Sequence, residues 1–301
     1  MRILLAVDGS VSSDRATDLV ASLSLPADSV IRVVSVQHSY VDVLAMSWAS
    51  VGETAAPETE EQANIRHHRE AVARAEHVVQ RPGLAVEGFL LRGRPASAIV
   101  DEAKAFGADV LVVGSRGHGT IATMVLGSTA SEIVDHAPCP VLVARGSELG
   151  SIAFADDGSR SARSAETILT AWPIFAGMPI SVVTVAETAV PVAAGFTPGL
   201  YDQVLASYTR SVDEAREEVR QEADTAAGRL DDAGLDARPI VLEGDPASEI
   251  VRFATDRGIG TIVMGTRGHT GLARLILGSV ARNVLLHAPS SVLIVREIKD
   301  G

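Results

Sequence analysis

One cysteine, Cys139, stands in a chain of 301 residues, which excludes an internal disulfide framework and fits a reducing compartment. Aromatic residues are scarce at 4%, too few for the stacking platform that single-stranded nucleic acid needs. Positive charge is outweighed: a formal net charge of −12 opposes a nucleic-acid or anionic membrane partner, since both require a basic face. No apolar run approaches the roughly 18 residues of a membrane span. The opening MRILLAVDGS is too short in its apolar part for a signal peptide, so the cytoplasm is the expected location. No glycine-rich turn ends in GlyLysSer or GlyLysThr, and without the P-loop lysine efficient phosphoryl transfer has no evident catalyst. No paired general base and no metal-ligand cluster stands out. What remains is a chain with 47% apolar and 21% charged residues, long enough for two domains with a core each.

What is present is a repeat. The stretch GSRGHGTIATMVLGS, Gly114 to Ser128, recurs as GTRGHTGLARLILGS, Gly265 to Ser279. Around it, an offset of 151 pairs Gly93 with Gly244, His136-Ala137-Pro138 with His287-Ala288-Pro289, and Val141-Leu142-Val143 with Val292-Leu293-Ile294. Near the start of each half the offset is 149, pairing Asp8-Gly9-Ser10 with Asp157-Gly158-Ser159. The chain is a tandem duplication, expected as domains over 1–146 and 150–301, with the boundary in the short polar stretch Gly146 to Gly150.

Within each half, apolar runs alternate with helical spacing. Ile3 to Val7, Val30 to Val36, Leu84 to Leu91, Val110 to Val113 and Val141 to Ala144 read as strands. Ser13 to Leu23, Glu61 to Gln80, Ala96 to Phe106 and Thr129 to His136 read as helices, and Gln37 to Glu60 as a long loop. The second half repeats the pattern, with strands at Ile152 to Ala155 and Ile180 to Val185 and a helix over Val212 to Asp231. Such alternation predicts α/β domains with a parallel sheet and helices on both faces. Ligands of such sheets bind beyond the carboxyl ends of the strands, which puts Asp8 and Gly114 on one rim.

Both copies of the stretch space their glycines alike: glycine, two residues, glycine, nine residues, glycine and serine. A strand ending in glycines and leading into a helix turns several backbone N–H groups one way and makes an anion cradle. The glycines allow φ > 0 or a close approach of ligand to backbone; the alternative is a tight turn that serves helix packing alone. The serines at Ser128 and Ser279 either cap the following helix or donate to a phosphate oxygen. Arg116 and Arg267 lie inside the cradle, where each either pairs with phosphate or sits solvated. His118 and His269 follow the second glycine, and Asp8 and Asp157 are ligand contacts or turn formers. GHGTIA at Gly117 fits a loose GxGxxA fingerprint that the second copy, GHTGLA, breaks. His67-His68 reads as a solvated helix face, with metal binding as the other possibility, and Cys139, replaced by Ser290 in the repeat, as packing. His136 and His287 read as helix C-terminal residues and Glu214 to Glu222 as an exposed, salt-bridged helix.

The glycine spacing, the opening strand ending in AspGlySer, the GlyXaaPro turn at Gly93 and the terminal ProVal-type strand together resemble the universal stress protein family in its tandem form. The resemblance covers essentially the whole chain. It implies two Rossmann-like domains of the adenine nucleotide alpha hydrolase type, each a five-stranded parallel sheet with helices on both faces. Family members with this loop bind ATP, so both halves are expected to bind it. By matching positions, Asp8 and Asp157 would contact the adenosine, Val36 and Val185 line the adenine pocket, and Val113 and Met264 flank the ribose. Gly114, Gly117, Gly127 and Ser128, with Gly265, Gly268, Gly278 and Ser279, would take the phosphates. Asp156 departs from the pattern, standing before Asp157 where the first half has Val7. Mg²⁺ is expected with the phosphates. The resemblance also implies pairing of domains through the last strand, here between the two halves of the chain, with a homodimer possible and the protein partner unnamed. The expected function is ATP-binding regulation in the stress response without strong turnover; the alternative is a slow ATPase or an autophosphorylating protein with Ser128, Ser279 or a neighbouring serine as acceptor.

Overall fold

The computed structural model describes residues 1–37, 57–117, 126–187, 216–266 and 277–297. The chain divides into two compact units: Met1–Leu149 with Ser290–Ile294, and Gly150–Pro289 with Val295–Gly301.

In unit 1 the strands are β1 (Arg2–Ala6), β2 (Val30–Gln37), β3 (Ala85–Arg92), β4 (Val110–Gly114) and β5 (Val141–Ala144). Between them lie α1 (Val11–Ser22), α2 (Pro57–Val79), α3 (Pro95–Phe106) and α4 (Ser128–His136). The parallel order is β3-β2-β1-β4-β5, with Ile3 opposite both Ile31 and Val110. The chain winds outward from β1 to β3, then returns to the other side of β1 for β4 and β5. The reversal of direction falls between β1 and β4, whose carboxyl ends therefore open a crevice that no crossover helix closes.

The inner strands form because most of their residues are β-branched or apolar on both faces, while the edge strand β3 is only partly covered. Ile3, Leu4, Leu5, Ile31, Val33, Val34, Leu111 and Val112 have no exposed surface, and each such side chain contributes about 1.5–3 kcal/mol relative to exposure. α1 covers them with Ala16, Leu19 and Val20, and begins where the Ser10 hydroxyl accepts the Ser13 N–H at 3.2 Å. α3 starts at Pro95, where a missing N–H costs nothing, and stops at Gly107, whose φ of +64° lets its N–H reach back to Ala103 and Lys104. On the outer side of β2, Arg32 is held between Glu87 and Glu102 at 2.5 and 2.6 Å and lies over the Phe89 and Phe106 rings.

Unit 2 repeats the plan with β6 (Ile152–Ala155), β7 (Ile180–Ala186), β8 (Ala237–Glu243) and β9 (Thr261–Gly265) in the parallel order β9-β6-β7-β8. Its helices are α5 (Arg160–Ala171), α6 (216–232), α7 (Pro246–Arg257) and α8 (Ser279–His287), with a 3-10 turn at Pro173–Phe175. The last strand, β10 (Ser291–Val295), lies antiparallel to β5, with Leu293 opposite Leu142. Ser290–Ile294 is thus part of unit 1, where it lies beside β5.

In unit 1 helix starts fall one to four residues before the positions read from periodicity, because apolar spacing marks the buried face and not the capping turn; the expected start at Val212 lies outside the described residues. The stretch Gly146 to Gly150 is not wholly without a buried residue: Leu149 is 2% exposed, and the Gly146 N–H donates to Ser291 Oγ at 3.2 Å.

Candidate functional site

Asp8 lies two residues past the end of β1 and Gly114 ends β4, so the sheet order brings both to the crevice at the point of reversal. The Asp8 carboxylate is tied to its own turn: Oδ1 accepts the Ser10 N–H at 3.0 Å. Its other oxygen, Oδ2, faces the glycine stretch; a Cβ built on Gly117 would stand 2.7 Å from it. Sequence positions more than a hundred apart are thus in touch.

The glycines differ in what they do. A Cβ on Gly114 would meet the Ser12 carbonyl carbon and oxygen at 2.7 Å, and one on Gly265 would meet the Ser161 carbonyl carbon at 2.7 Å. At these two positions the close approach of α1 and α5 to the sheet already requires glycine, which is the packing alternative raised above. At Gly117 the nearest obstacle is a carboxylate oxygen. None of Gly114, Gly117, Gly127, Gly265 and Gly278 is among the positive-φ glycines; close approach of backbone accounts for Gly114 and Gly265, whereas a Cβ on Gly127 would make only ordinary contacts, the nearest at 3.4 Å.

The stretch is stitched to α1. The Ser10 hydroxyl donates to Arg116 O at 3.3 Å, and Ser12 Oγ accepts the Arg116 N–H at 3.1 Å while lying 3.2 Å from Ser115 Oγ. The Ser115 N–H donates to Ala144 O at 3.1 Å, and the Gly127 N–H returns to Ser115 O at 2.9 Å, closing the loop at its base. Unit 2 closes its loop the same way: Thr266 N–H to Val295 O at 2.9 Å and Gly278 N–H to Thr266 O at 2.8 Å.

Beyond the closure each loop enters a helix. α4 and α8 have Gly127 and Gly278 as N-cap, with no side-chain cap bond. Ser128 and Ser279 are the first helical residues, exposed, so their hydroxyls do not cap. α1, α5 and α7 are capped by Ser10, Ser159 and Asp245, while α3, begun at Arg94 and Pro95, also has no side-chain cap but is not entered from a glycine stretch. The first N–H groups of a helix with no side-chain acceptor, at the positive end of its dipole, attract an anion. Nearby, burial pushes the Arg145 guanidinium down to about 10, and the like charge of Arg116 adds to the shift. Two cations therefore crowd together just past the ends of β4 and β5.

The remaining expected residues are placed as follows. Val36 and Val113 are buried at the ends of β2 and β4; Val185 is half-buried at the end of β7 and Met264 buried in β9. Asp157 is exposed, with Oδ1 accepting the Ser159 N–H at 3.1 Å as Asp8 does from Ser10. Arg267, Gly268, His118 and His269 lie outside the described residues. Asp156, next to Asp157, is buried and accepts the Gly158 N–H at 3.0 Å.

His67 and His68 overturn the reading of a solvated face. His67 Nε2 lies 2.9 Å from Asp8 O, and a carbonyl oxygen there requires the ring nitrogen to be the donor. His68 is 8% exposed, and its Nδ1 lies 2.8 Å from Ser35 Oγ, which donates to Val7 O at 2.6 Å. Two consecutive histidines of α2 thereby hold two consecutive carbonyls at the end of β1. A polar helix composition concealed this, since only the sheet order shows which turn of α2 passes over Asp8. Ser12, Ser115 and Arg145 were missed too; the recurrence of serine at Ser161, the partner of Ser12 at an offset of 149, was a usable signal.

Among the described residues no group of three or more His, Cys, Asp and Glu side chains is arranged to hold a metal ion. No helix among them is long and apolar enough to cross a membrane.

The model of the universal stress protein family matches residues 1–145 and again 150–296. A universal stress protein of Thermus aquaticus is 35% identical over 143 residues, 48% of this chain and 97% of its own length. One of Mycolicibacterium smegmatis is 24% identical over 305 residues, covering 98% of this chain and 96% of its own. Among solved structures, a universal stress protein from Archaeoglobus fulgidus DSM 4304 superposes with a TM-score of 0.65 at 16% identity, covering 99% of this chain and 98% of that one, which shows a shared fold.

Proposed function

The chain belongs to the universal stress protein family along both halves, a stress-response role with it, and from that premise we propose that each half binds one ATP and that the protein acts as a nucleotide-dependent regulator. The observation that carries this reading is the pair of helices α4 and α8, each entered from a strand-end glycine loop and each left without a side-chain cap. The approach of Gly117 to Asp8 supports it: a Cβ on Gly117 would stand 2.7 Å from Asp8 Oδ2, so a group entering there meets the Asp8 carboxylate. In unit 1, Asp8, Val36 and Val113 would take the nucleoside, and Gly114, Arg116, Gly117, Gly127 and Ser128 the phosphates. In unit 2, Asp157, Val185 and Met264 would do the first, and Gly265, Arg267, Gly268, Gly278 and Ser279 the second.

Bound Mg²⁺ would neutralise the triphosphate, and the described side chains offer no ligand set of their own for it. In this reading the metal arrives with the nucleotide, held by phosphate oxygens and water. The residues named above, in this reading, position and bind the nucleotide.

Denaturing the purified protein, releasing what is bound and counting it by chromatography and mass spectrometry tests the proposal. The expected result is close to two ATP per chain. No nucleotide, with none taken up when ATP is added, removes the proposal. A second reading is favoured by the exposed, non-capping hydroxyls of Ser128 and Ser279 at the helix starts. Either could accept the terminal phosphoryl group, its proton leaving to solvent and ADP departing. Phosphopeptide mapping after incubation with labelled ATP should then find label on one of them; absence of label on every serine and threonine discards this second reading.

A further inference from the structure

We propose that the two cradles are unequal, the first being the tighter site for a nucleoside triphosphate and the second favouring ligands with fewer negative charges, because the corresponding helices bring opposite chemistry to the same turn. The inference rests on the ATP-binding reading above.

Gly9 and Gly158 occupy the same place, directly after Asp8 and Asp157, with φ of +82° and +71°. What lies over them differs. In unit 1 it is His67 of α2: a Cβ on Gly9 would stand 2.8 Å from Nε2 and 3.4 Å from Arg74 Nη2. The same Nε2 donates to Asp8 O at 2.9 Å, fixing the residue whose carboxylate faces Gly117. His67 is therefore a positioning residue, acting on the ligand through Asp8. In unit 2 the place is taken by Glu222 of α6, whose carboxylate lies against Gly158.

The bonds within the turn change in the same sense. The Gly9 N–H donates to the neutral Ser13 hydroxyl at 3.2 Å, whereas the Gly158 N–H donates to the Asp156 carboxylate at 3.0 Å. Against the first turn the structure places the His67 imidazole and the Arg74 guanidinium beside the Asp8 carboxylate. Against the second it places three carboxylates, Asp156, Asp157 and Glu222; the neighbouring Arg160 is 3.6 Å from Glu297, and the nearby Arg163 and Arg229 are paired with Glu166, whose charge Asp156 repels. A polyanion approaching the second cradle meets added repulsion, which grows with its charge and shrinks with salt.

The test is calorimetric titration of the full chain, stripped of nucleotide, with ATP and with AMP at low and high salt. Gly117→Ala assigns the first site. The expected result is two ATP affinities differing roughly ten-fold, the difference narrowing for AMP and narrowing again in salt. Glu222→Gln should tighten the weaker site alone. His67→Ala should weaken the tighter site alone, and His67→Gln, whose amide can still donate to Asp8 O, should restore most of it. Two equal ATP affinities, the same ratio for AMP as for ATP, or a weaker site indifferent to Glu222→Gln overturns the inference and leaves the ATP-binding reading standing. No ATP uptake at either site removes both.

Discussion

A methyl group at Gly117 would stand 2.7 Å from Asp8 Oδ2, closer than real contacts allow, so the carboxylate or the loop must move. Gly117→Ala is expected to lower ATP affinity in the first half about ten-fold or more, roughly 1.4 kcal/mol or above, and to leave the second half unchanged. The nucleotide count should fall from two toward one; a parallel loss in both halves would show that the sites are coupled or that the chain has unfolded. Single residues were unevenly legible in the sequence. The AspGlySer turn and the glycine spacing stood out because they recur, and recurrence needs no contact information. His67 and His68 did not, since a histidine on a charged helix looks solvated until the strand beneath it is known. Gly114 was legible as a glycine, but its reason was not: the sequence pattern suggests a ligand, and the structure shows the Ser12 backbone in the space.

At the scale of elements, helix starts differ in how they are capped. α7 is capped by Asp245, whose Oδ1 accepts both the Ser248 hydroxyl at 2.6 Å and the Ser248 N–H at 2.9 Å. These bonds, the hydroxyl first, hold its carboxyl below the usual value. A carboxyl lowered in the folded state stabilises the fold above its unfolded pKa, and that contribution is lost as pH falls through the folded value. Melting temperature should therefore drop more steeply in the wild type than in Asp245→Asn below about pH 4, since asparagine caps without titrating. Equal slopes would mean that the cap does not contribute through its charge. Strands were the most legible elements, because short β-branched runs buried on both faces have few other uses; β4 departs by one residue from the expected Val110 to Val113. Helices were legible as faces but not as ends, since a cap depends on which side chain meets a free N–H. Only the structure shows that Ser128 and Ser279 fall one position too late to cap.

At the scale of the whole molecule, the end of the chain completes the sheet of unit 1. Val292, Leu293 and Ile294 pair antiparallel with Val143, Leu142 and Val141. A fragment of residues 1–149 would present β5 as an uncovered apolar edge, and such edges pair with copies of themselves. It should form dimers or larger assemblies by light scattering at concentrations where the full chain does not; a fragment that stays monomeric would show that β5 needs no cover. The duplication, the α/β alternation and the repeated glycine stretch were determined by the sequence alone, because each is a matter of order and spacing along the chain. The strand order, the partnership of β10 with β5, the contact of Gly117 with Asp8 and the passage of His67 and Glu222 over equivalent turns were decided by the tertiary structure. Local pattern governs which segments become strands and helices, but which of them meet depends on packing across more than a hundred residues, and no spacing rule encodes that.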